Sequence, residues 1–484
     1  MRETALELRE QFQSGAISAE KIVEHTLARI EKREPRITSF LQVFHERARK
    51  TAKALDQKRA QGKPLGKLAG VPIAIKDNIH IKGEITTCAS RFLKNYKAVF
   101  DATVVQLLER ADAILIGKTN LDEFAMGSTT ENSALQLTKN PWNEAYSPGG
   151  SSGGSSACVA ARICPLSLGS DTGGSVRLPA AYCGIVGFKP SYGRVSRYGL
   201  VAFGSSFDQI GPFSTTVADA ALIMEVIAGH CKNDATSIPQ PPEPWVHHLH
   251  TNIKGKKLGI PWHFCEGIPH ESKEVLTQSL SRFKELGVEI VEINLDILKI
   301  AVSLYYTLST AEASMNLARF DGIRYGARSP RAKTLQEVYE LSRQEGFGPE
   351  VKRRILLGTF VLSSSHIEAF YRKAQKVRTL VIQACNEAFA HCDMIALPTS
   401  PSIAPRFASF QNPLQMYLQD IFTVGANLTG FPAISIPSGL SKEGMPYGLQ
   451  LMGPMLHDAQ VLQFAHAYEQ HANHSFLPPM VQHE

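Results

Sequence analysis

The chain opens on helical periodicity. Ile22, Val23, Leu27 and Ile30 recur at the three- and four-residue spacing that gives a helix one apolar face. Ser18, followed by Glu20, predicts the start of that helix, and Gly15 the end of a shorter one before it. These are packing residues. From Gly70 the pattern changes to short apolar runs separated by Gly and Asp: Val71-Pro72-Ile73-Ala74-Ile75, then Ile114-Leu115-Ile116, with a helical stretch from Val104 to Arg110 between them. Strand-length runs alternating with helices predict an α/β sheet covered on both faces.

The same reading organises the rest of the chain. Residues 1–60 carry the N-terminal helices and 61–234 a core with two Gly/Ser loops; residues 235–250 form a Pro-rich connection. A second α/β part over 251–299 holds a strand at Lys257-Leu258-Gly259-Ile260-Pro261. Residues 300–390 read as a helical excursion, and 391–484 return to the sheet through Met394–Thr399 and Ala433–Pro437. There is no internal repeat, so 1–484 is expected to form one domain.

Composition narrows the class. With 43% hydrophobic and 20% charged residues the chain is globular rather than disordered. A net charge of +6 without a dense Lys/Arg tract is an ordinary surface and argues against direct nucleic-acid binding. Eight cysteines without a Cys-x-x-Cys pair argue against zinc and against a disulfide framework, which fits a reducing cytoplasm. Met1-Arg2-Glu3-Thr4 does not read as a signal peptide, and no apolar run approaches the ~20 residues that span a membrane.

The chemistry concentrates between Ser147 and Gly184. One loop reads Ser-Pro-Gly-Gly-Ser-Ser-Gly-Gly-Ser-Ser from Ser147; the other reads Leu-Gly-Ser-Asp-Thr-Gly-Gly-Ser-Val-Arg from Leu168. Serine becomes a nucleophile when a base stands beside it. Lys76, at the end of the apolar run from Val71, can be that base if burial keeps it neutral. These features suggest a serine hydrolase that works without histidine. The residues alone fit equally a buried ion pair of Lys76 with Asp77 or Asp171.

Competing motifs explain less. Gly150-Ser151-Ser152-Gly153-Gly154 satisfies the Gly-x-Ser-x-Gly elbow, with Asp393 and His457 in the right chain order, but that reading leaves the second loop and Lys76 unexplained. Asp171-Thr172-Gly173 is one aspartic-protease half-site where two are needed. Gly117-Lys118-Thr119 resembles the end of a phosphate loop, yet Asp112 stands where its first Gly belongs, so no ATP site is expected. No cysteine lies in either Gly/Ser loop, which excludes a nucleophilic-cysteine glutaminase there.

The two loops with Lys76 closely resemble the amidase signature family, over nearly the whole chain. Asp122–Ser128, Gly193–Leu200, Ala318–Gly326 and Glu350–Arg354 sharpen the resemblance towards the A subunits of glutamyl-tRNA(Gln)/aspartyl-tRNA(Asn) amidotransferases. The last two segments lie outside the signature and carry the resemblance to those subunits. It implies a single amidase-signature domain of α/β class, with a mixed twisted β-sheet flanked by α-helices. It also implies Ser175 as nucleophile, Ser151 as bridging serine after a cis Gly150–Ser151 peptide, and Lys76 as base. The N–H groups of Thr172, Gly173, Gly174 and Ser175 would form the oxyanion hole. Arg354 would take the α-carboxylate of glutamine and Asp420 its α-ammonium; Tyr306 would contact the substrate, with Tyr305 as the alternative. Arg162 and Leu178 depart from the usual pattern, where a small residue and Gln are expected. By the same resemblance, this chain holds no cofactor, and partner B and C subunits complete a heterotrimer. ATP and Mg are expected in the partner, which also binds most of the charged tRNA: Glu-tRNA(Gln), with Asp-tRNA(Asn) as the other candidate acceptor.

Overall fold

A computed structural model describes residues 4–474 and 476–482. Eleven strands form one mixed sheet. They are β1 (Phe40–Val43), β2 (Pro72–Lys76), β3 (Ile114–Thr119), β4 (Leu166–Asp171), β5 (Val186–Lys189), β6 (Gln209–Ser214), β7 (Lys257–Ile260), β8 (Glu289–Glu292), β9 (Met394–Pro398), β10 (Ala433–Leu440) and β11 (Pro446–Met452). Their order is β1-β3-β2-β4-β6-β5-β10-β11-β9-β7-β8. β2 runs parallel to β3 and β4, and β7 runs parallel to β8 and β9. Every other pairing is antiparallel.

Two apolar layers cover the sheet. Ile73, Ile75, Leu115, Leu166 and Leu168 face one layer, while Ala74, Ile114 and Ile116 face the other. Side chains alternate between the faces of a strand. β2, β3 and β4 are buried on both, so their apolar runs need no polar alternation. The second layer is supplied by the N-terminal helices Ala5–Gln13 and Ala19–Ile37 and by the helix Gly153–Ala160. Ser18 caps Ala19–Ile37 by accepting from the Lys21 N–H, and Ile22, Val23, Leu27 and Ile30 are its buried stripe. The helix Gly153–Ala160 is built of small residues because its start lies hard against the sheet. A Cβ on Gly154 would sit 2.5 Å from Asn120 N and from Ser39 O.

The Pro-rich segment is not a bare connection. It contains the short helix Trp245–His248, whose Trp245 is buried against the main core, and Glu243 pairs with the buried Arg194. Residues 300–390 form the helices Ala301–Leu317, Leu335–Gly346, Pro349–Leu362 and Lys373–Phe389. Gly358 lets the third approach the first; a Cβ there would lie 2.0 Å from Thr310 O. Tyr305 and Tyr306 lie on the first of these helices and Arg354 on the third. Leu178 fills an apolar cluster with Tyr182 and Trp142. Arg162 ends its turn at φ 54°. Among the described residues, no helix is long and apolar enough to cross a membrane, no group of His, Cys, Asp or Glu could hold a metal, and all eight cysteines are free and buried.

Candidate active site

Lys76 is the last residue of β2 and is fully buried. Its Nζ lies 2.7 Å from Ser151 Oγ, 2.8 Å from Ser152 Oγ and 3.0 Å from Ser170 Oγ. No carboxylate among the described residues lies within ion-pair distance of it. Asp77 is held by Lys118 at 2.7 Å and Asp171 by Arg177 at 3.0 Å, so neither pairs with Lys76. Burial disfavours the ammonium. Against the opposing fields of Asp122, Asp171 and Asp208, it brings the pKa of Lys76 down to about 7.

The three serines around the amine are not equivalent. The Ser152 hydroxyl donates to Ser170 O at 3.2 Å, so towards Lys76 it accepts. The Ser170 hydroxyl accepts from Asn78 Nδ2 at 2.9 Å. The Ser151 hydroxyl has no partner other than Lys76 among the described residues, and its proton is free to move. Ser151 follows a cis Gly150–Ser151 peptide. Asp122 braces this loop from behind. Its N–H donates to Ser151 O, its carboxylate accepts from the N–H groups of Thr130 and Asn132, and a Cβ on Gly150 would strike its Oδ2 at 2.1 Å.

Ser175 lies on the second loop, which leaves the end of β4. Its hydroxyl carries no hydrogen bond among the described residues, and at 8% exposure it is the most accessible of the four serines. Asp171 shapes the loop. Its carboxylate accepts from Gly174 N (2.9 Å), Val176 N (3.1 Å), Arg177 Nε (3.1 Å) and Asn427 Nδ2 (2.8 Å). Burial would raise Asp171, but the Arg177 guanidinium outweighs it and holds the carboxyl down to about 2. Arg177 is itself completed by Thr423 O, Gln450 Oε1 and Asn427 Oδ1. This clamp bears on the expected oxyanion hole of Thr172, Gly173, Gly174 and Ser175. The Gly174 N–H donates to Asp171, whereas the N–H groups of Thr172, Gly173 and Ser175 have no hydrogen-bond partner among the described residues. Gly174 instead supplies the backbone turn at φ 138°, where a Cβ would meet Thr423 Oγ1 at 2.2 Å.

Arg354, Asp420, Tyr305 and Tyr306 converge on the same place. Arg354 is buried and donates through Nε to Glu350 Oε1 at 2.8 Å; its two terminal nitrogens have no hydrogen-bond partner among the described residues. Its guanidinium lies over the rings of Tyr306 (5.1 Å), Tyr417 (5.5 Å) and Phe203 (5.6 Å). Asp420 accepts from Ser128 Oγ at 2.7 Å through one oxygen, and no cation among the described residues pairs with it. Burial raises it to about 7. Tyr305 packs edge-on to Tyr306, and its hydroxyl lies 2.7 Å from where a Cβ on Gly173 would stand; Tyr306 stacks on Tyr417 at 4.0 Å. Tyr305 thus lies on the nucleophile loop and Tyr306 on the Arg354 side.

The elbow alternative does not assemble. Asp393 is bound to Lys256, His457 is exposed on Met455 O, and neither reaches Ser152. Lys118 of the phosphate-loop lookalike is spent on Asp77. Sequence reasoning missed Ser170, Asn78, Ser128, Glu350, Tyr417, Asn427 and Gln450. Two of these had a visible signal: Glu350 stands one helical turn before Arg354, and Ser128 closes the Asp122–Ser128 segment.

The chain resembles known proteins along nearly its whole length. The family model described as Amidase matches residues 21–462. The A subunit of the Protochlamydia amoebophila glutamyl-tRNA(Gln) amidotransferase is 59% identical over 99% of both chains. Its Chlamydia felis counterpart is 53% identical over 97% of this chain and 96% of its own. The crystal structure of the Thermotoga maritima counterpart superposes with a TM-score of 0.80 at 40% identity, over 97% of this chain and 94% of that one. A bacterial aryl acylamidase of the amidase signature family superposes at 0.85 with 28% identity, over 97% of this chain and 96% of its own. The buried lysine, the serine after the cis peptide and the clamped Gly/Ser loop therefore sit within a match that spans nearly the full length, and the chain belongs to the amidase family.

Proposed function

We propose that this chain is the glutamine-hydrolysing component, the A subunit, of a tRNA-dependent amidotransferase. The observation that carries the reading is the buried Lys76 amine, without a carboxylate partner among the described residues and 2.7 Å from the Ser151 hydroxyl, while the next residue, Ser152, donates its N–H to Ser175 O at 3.3 Å and the Ser175 hydroxyl is unbonded among the described residues. In the neutral amine the lone pair takes the Ser151 proton as Ser151 takes that of Ser175. Ser175 Oγ then bonds to the side-chain amide carbon of glutamine. The oxyanion that develops faces the N–H groups of Thr172, Gly173 and Ser175; such a donor is worth ~3 to 4 kcal/mol in other serine hydrolases. The proton returns through Ser151 to the nitrogen, the C–N bond breaks, and ammonia leaves a glutamyl ester on Ser175. Water attacks the ester along the same relay and restores the serine with release of glutamate.

The substrate ends match the open groups of the site. The unpaired terminal nitrogens of Arg354 suit the α-carboxylate, and the free oxygen of Asp420 suits the α-ammonium. Tyr306 closes the Arg354 side. Ammonia released here would pass to a partner that holds ATP, Mg and the charged tRNA, because this chain carries no phosphate loop. The resemblance to A subunits makes B and C subunits the partners and Glu-tRNA(Gln) the acceptor. The test compares glutamine turnover by the chain alone, with B and C subunits, and with both plus ATP and Glu-tRNA(Gln). Turnover should rise at each step; equal rates in all three would make the chain an independent amidase.

A further inference from the structure

A second cavity lies outside this site. It has a volume of about 210 Å³ and is lined by His80, Tyr96, Phe100, Leu200, Arg319 and Tyr325, among others. The volume is below that of most small-molecule sites and suits a single aromatic side chain. Its walls come from three stretches of chain that the hydrolytic chemistry leaves unused, within residues 80–100, 199–202 and 316–325.

Three properties describe the occupant. The walls are aromatic: His80 packs edge-on to Phe100 at 5.1 Å and beside Tyr96 at 5.6 Å, and Tyr325 packs on Phe320 at 6.2 Å. His80 is nine-tenths buried, and its Nδ1 has no hydrogen-bond partner among the described residues. The surroundings are cationic. Lys94, Lys97 and Arg319 are exposed and have no carboxylate partner among the described residues, whereas Asp321 is spent on the N–H groups of Ile323 and Arg324. Val99 and Ile323, next in sequence or close to the lining residues Phe100 and Tyr325, are exposed. An aromatic anchor in a closed socket with a polar rim is how protein partners concentrate binding energy.

We propose that this socket receives one tyrosine or tryptophan side chain from an acidic segment of the ammonia-accepting partner. The proposal rests on the reading of the chain as part of an amidotransferase complex, and it says where that partner docks. The test measures assembly of the full chain with B and C subunits by calorimetry. Two variants are compared with the native chain: Lys97→Glu combined with Arg319→Glu, which reverses the rim, and Ala202→Trp, which fills the socket. Each should weaken assembly by at least about thirtyfold, the loss of one anchor residue. Thermal melting checks that both variants fold. The nitrogen resonances of His80 should shift when the partner is added to the native chain and stay unmoved with Ala202→Trp. Native-like assembly by either variant, or a silent His80, overturns the socket and leaves the proposed function standing. Failure of the native chain to assemble removes the proposed function itself.

Discussion

Replacing Lys76 by methionine should abolish hydrolysis and change how stability depends on pH. In the unfolded chain a lysine ionises near 10.5; in the fold, burial brings Lys76 to about 7. Folding therefore favours the neutral amine. Above 10.5 both states are neutral and Lys76 contributes nothing. Between 10.5 and 7 the unfolded chain binds the extra proton, so stability falls as the pH is lowered, by up to about 1.4 kcal/mol per unit. Below 7 the penalty levels off at about 5 kcal/mol. Integrated, it is about 2 kcal/mol at pH 9 and about 4.7 at pH 6. Methionine fills most of the same volume and has no such term. Its loss of contacts to Ser151, Ser152 and Ser170 costs a similar amount at both pH values and cancels from the comparison. Urea denaturation at pH 6 and pH 9 should therefore show Lys76→Met gaining about 2.5 kcal/mol on the native chain as the pH drops. Stability curves that stay parallel within about 0.5 kcal/mol would mean that Lys76 is charged in the fold and cannot act as the base.

Ser175→Ala should lose at least about a thousandfold in glutamine hydrolysis while melting normally, and Ser152→Ala far less, since it leaves Ser151 on Lys76. Activity on glutamine should fall steeply below pH 7, because Lys76 must be neutral and Asp420, also near 7, must be ionised to hold the α-ammonium. With an amide lacking the ammonium, or in Asp420→Asn, only the Lys76 step should remain in the kcat/KM profile. Arg354→Ala should raise KM for glutamine and spare a neutral amide without an α-carboxylate; equal losses on both would make Arg354 structural. Asp171→Asn strands the buried Arg177 guanidinium and should cost about 3 to 5 kcal/mol in urea denaturation. The contribution of Asp171 is present above pH 3.8 and is lost only as the pH falls through about 2.

The sequence made some of this legible and hid the rest for physical reasons. Apolar runs long enough to register, as in β2, β3 and β9, stand out because both of their faces are buried. β11 does not, since Gln450 breaks its run; yet Gln450 is buried, donating to Phe422 O at 2.7 Å and accepting from Arg177. A polar residue satisfied across the fold looks like a surface residue in one dimension. β5 has only four residues, one of them Gly187, whose missing Cβ admits Ala180. At the site, Lys76 and the Gly/Ser loops announce chemistry by residue type, but the choice between base and ion pair depended on where Lys118 and Arg177 go. The same holds for the Gly174 N–H, whose capture by Asp171 is a matter of loop shape and leaves no trace in composition.

The catalytic lysine and serines stand on β2 and the loops beside β4, whereas Arg354 and Tyr306 arrive on helices that Gly358 holds together. On the proposed roles, bond breaking and recognition of the α-carboxylate are therefore carried by different pieces of chain. The separation is incomplete, because the Tyr305 hydroxyl on the first of those helices lies against Gly173 of the nucleophile loop, and Asp420 stands outside them. Even so, a change confined to those helices can silence glutamine use without disturbing the sheet. On the proposed roles, moving glutamine recognition between relatives therefore takes the 300–390 helices together with the segment that carries Asp420.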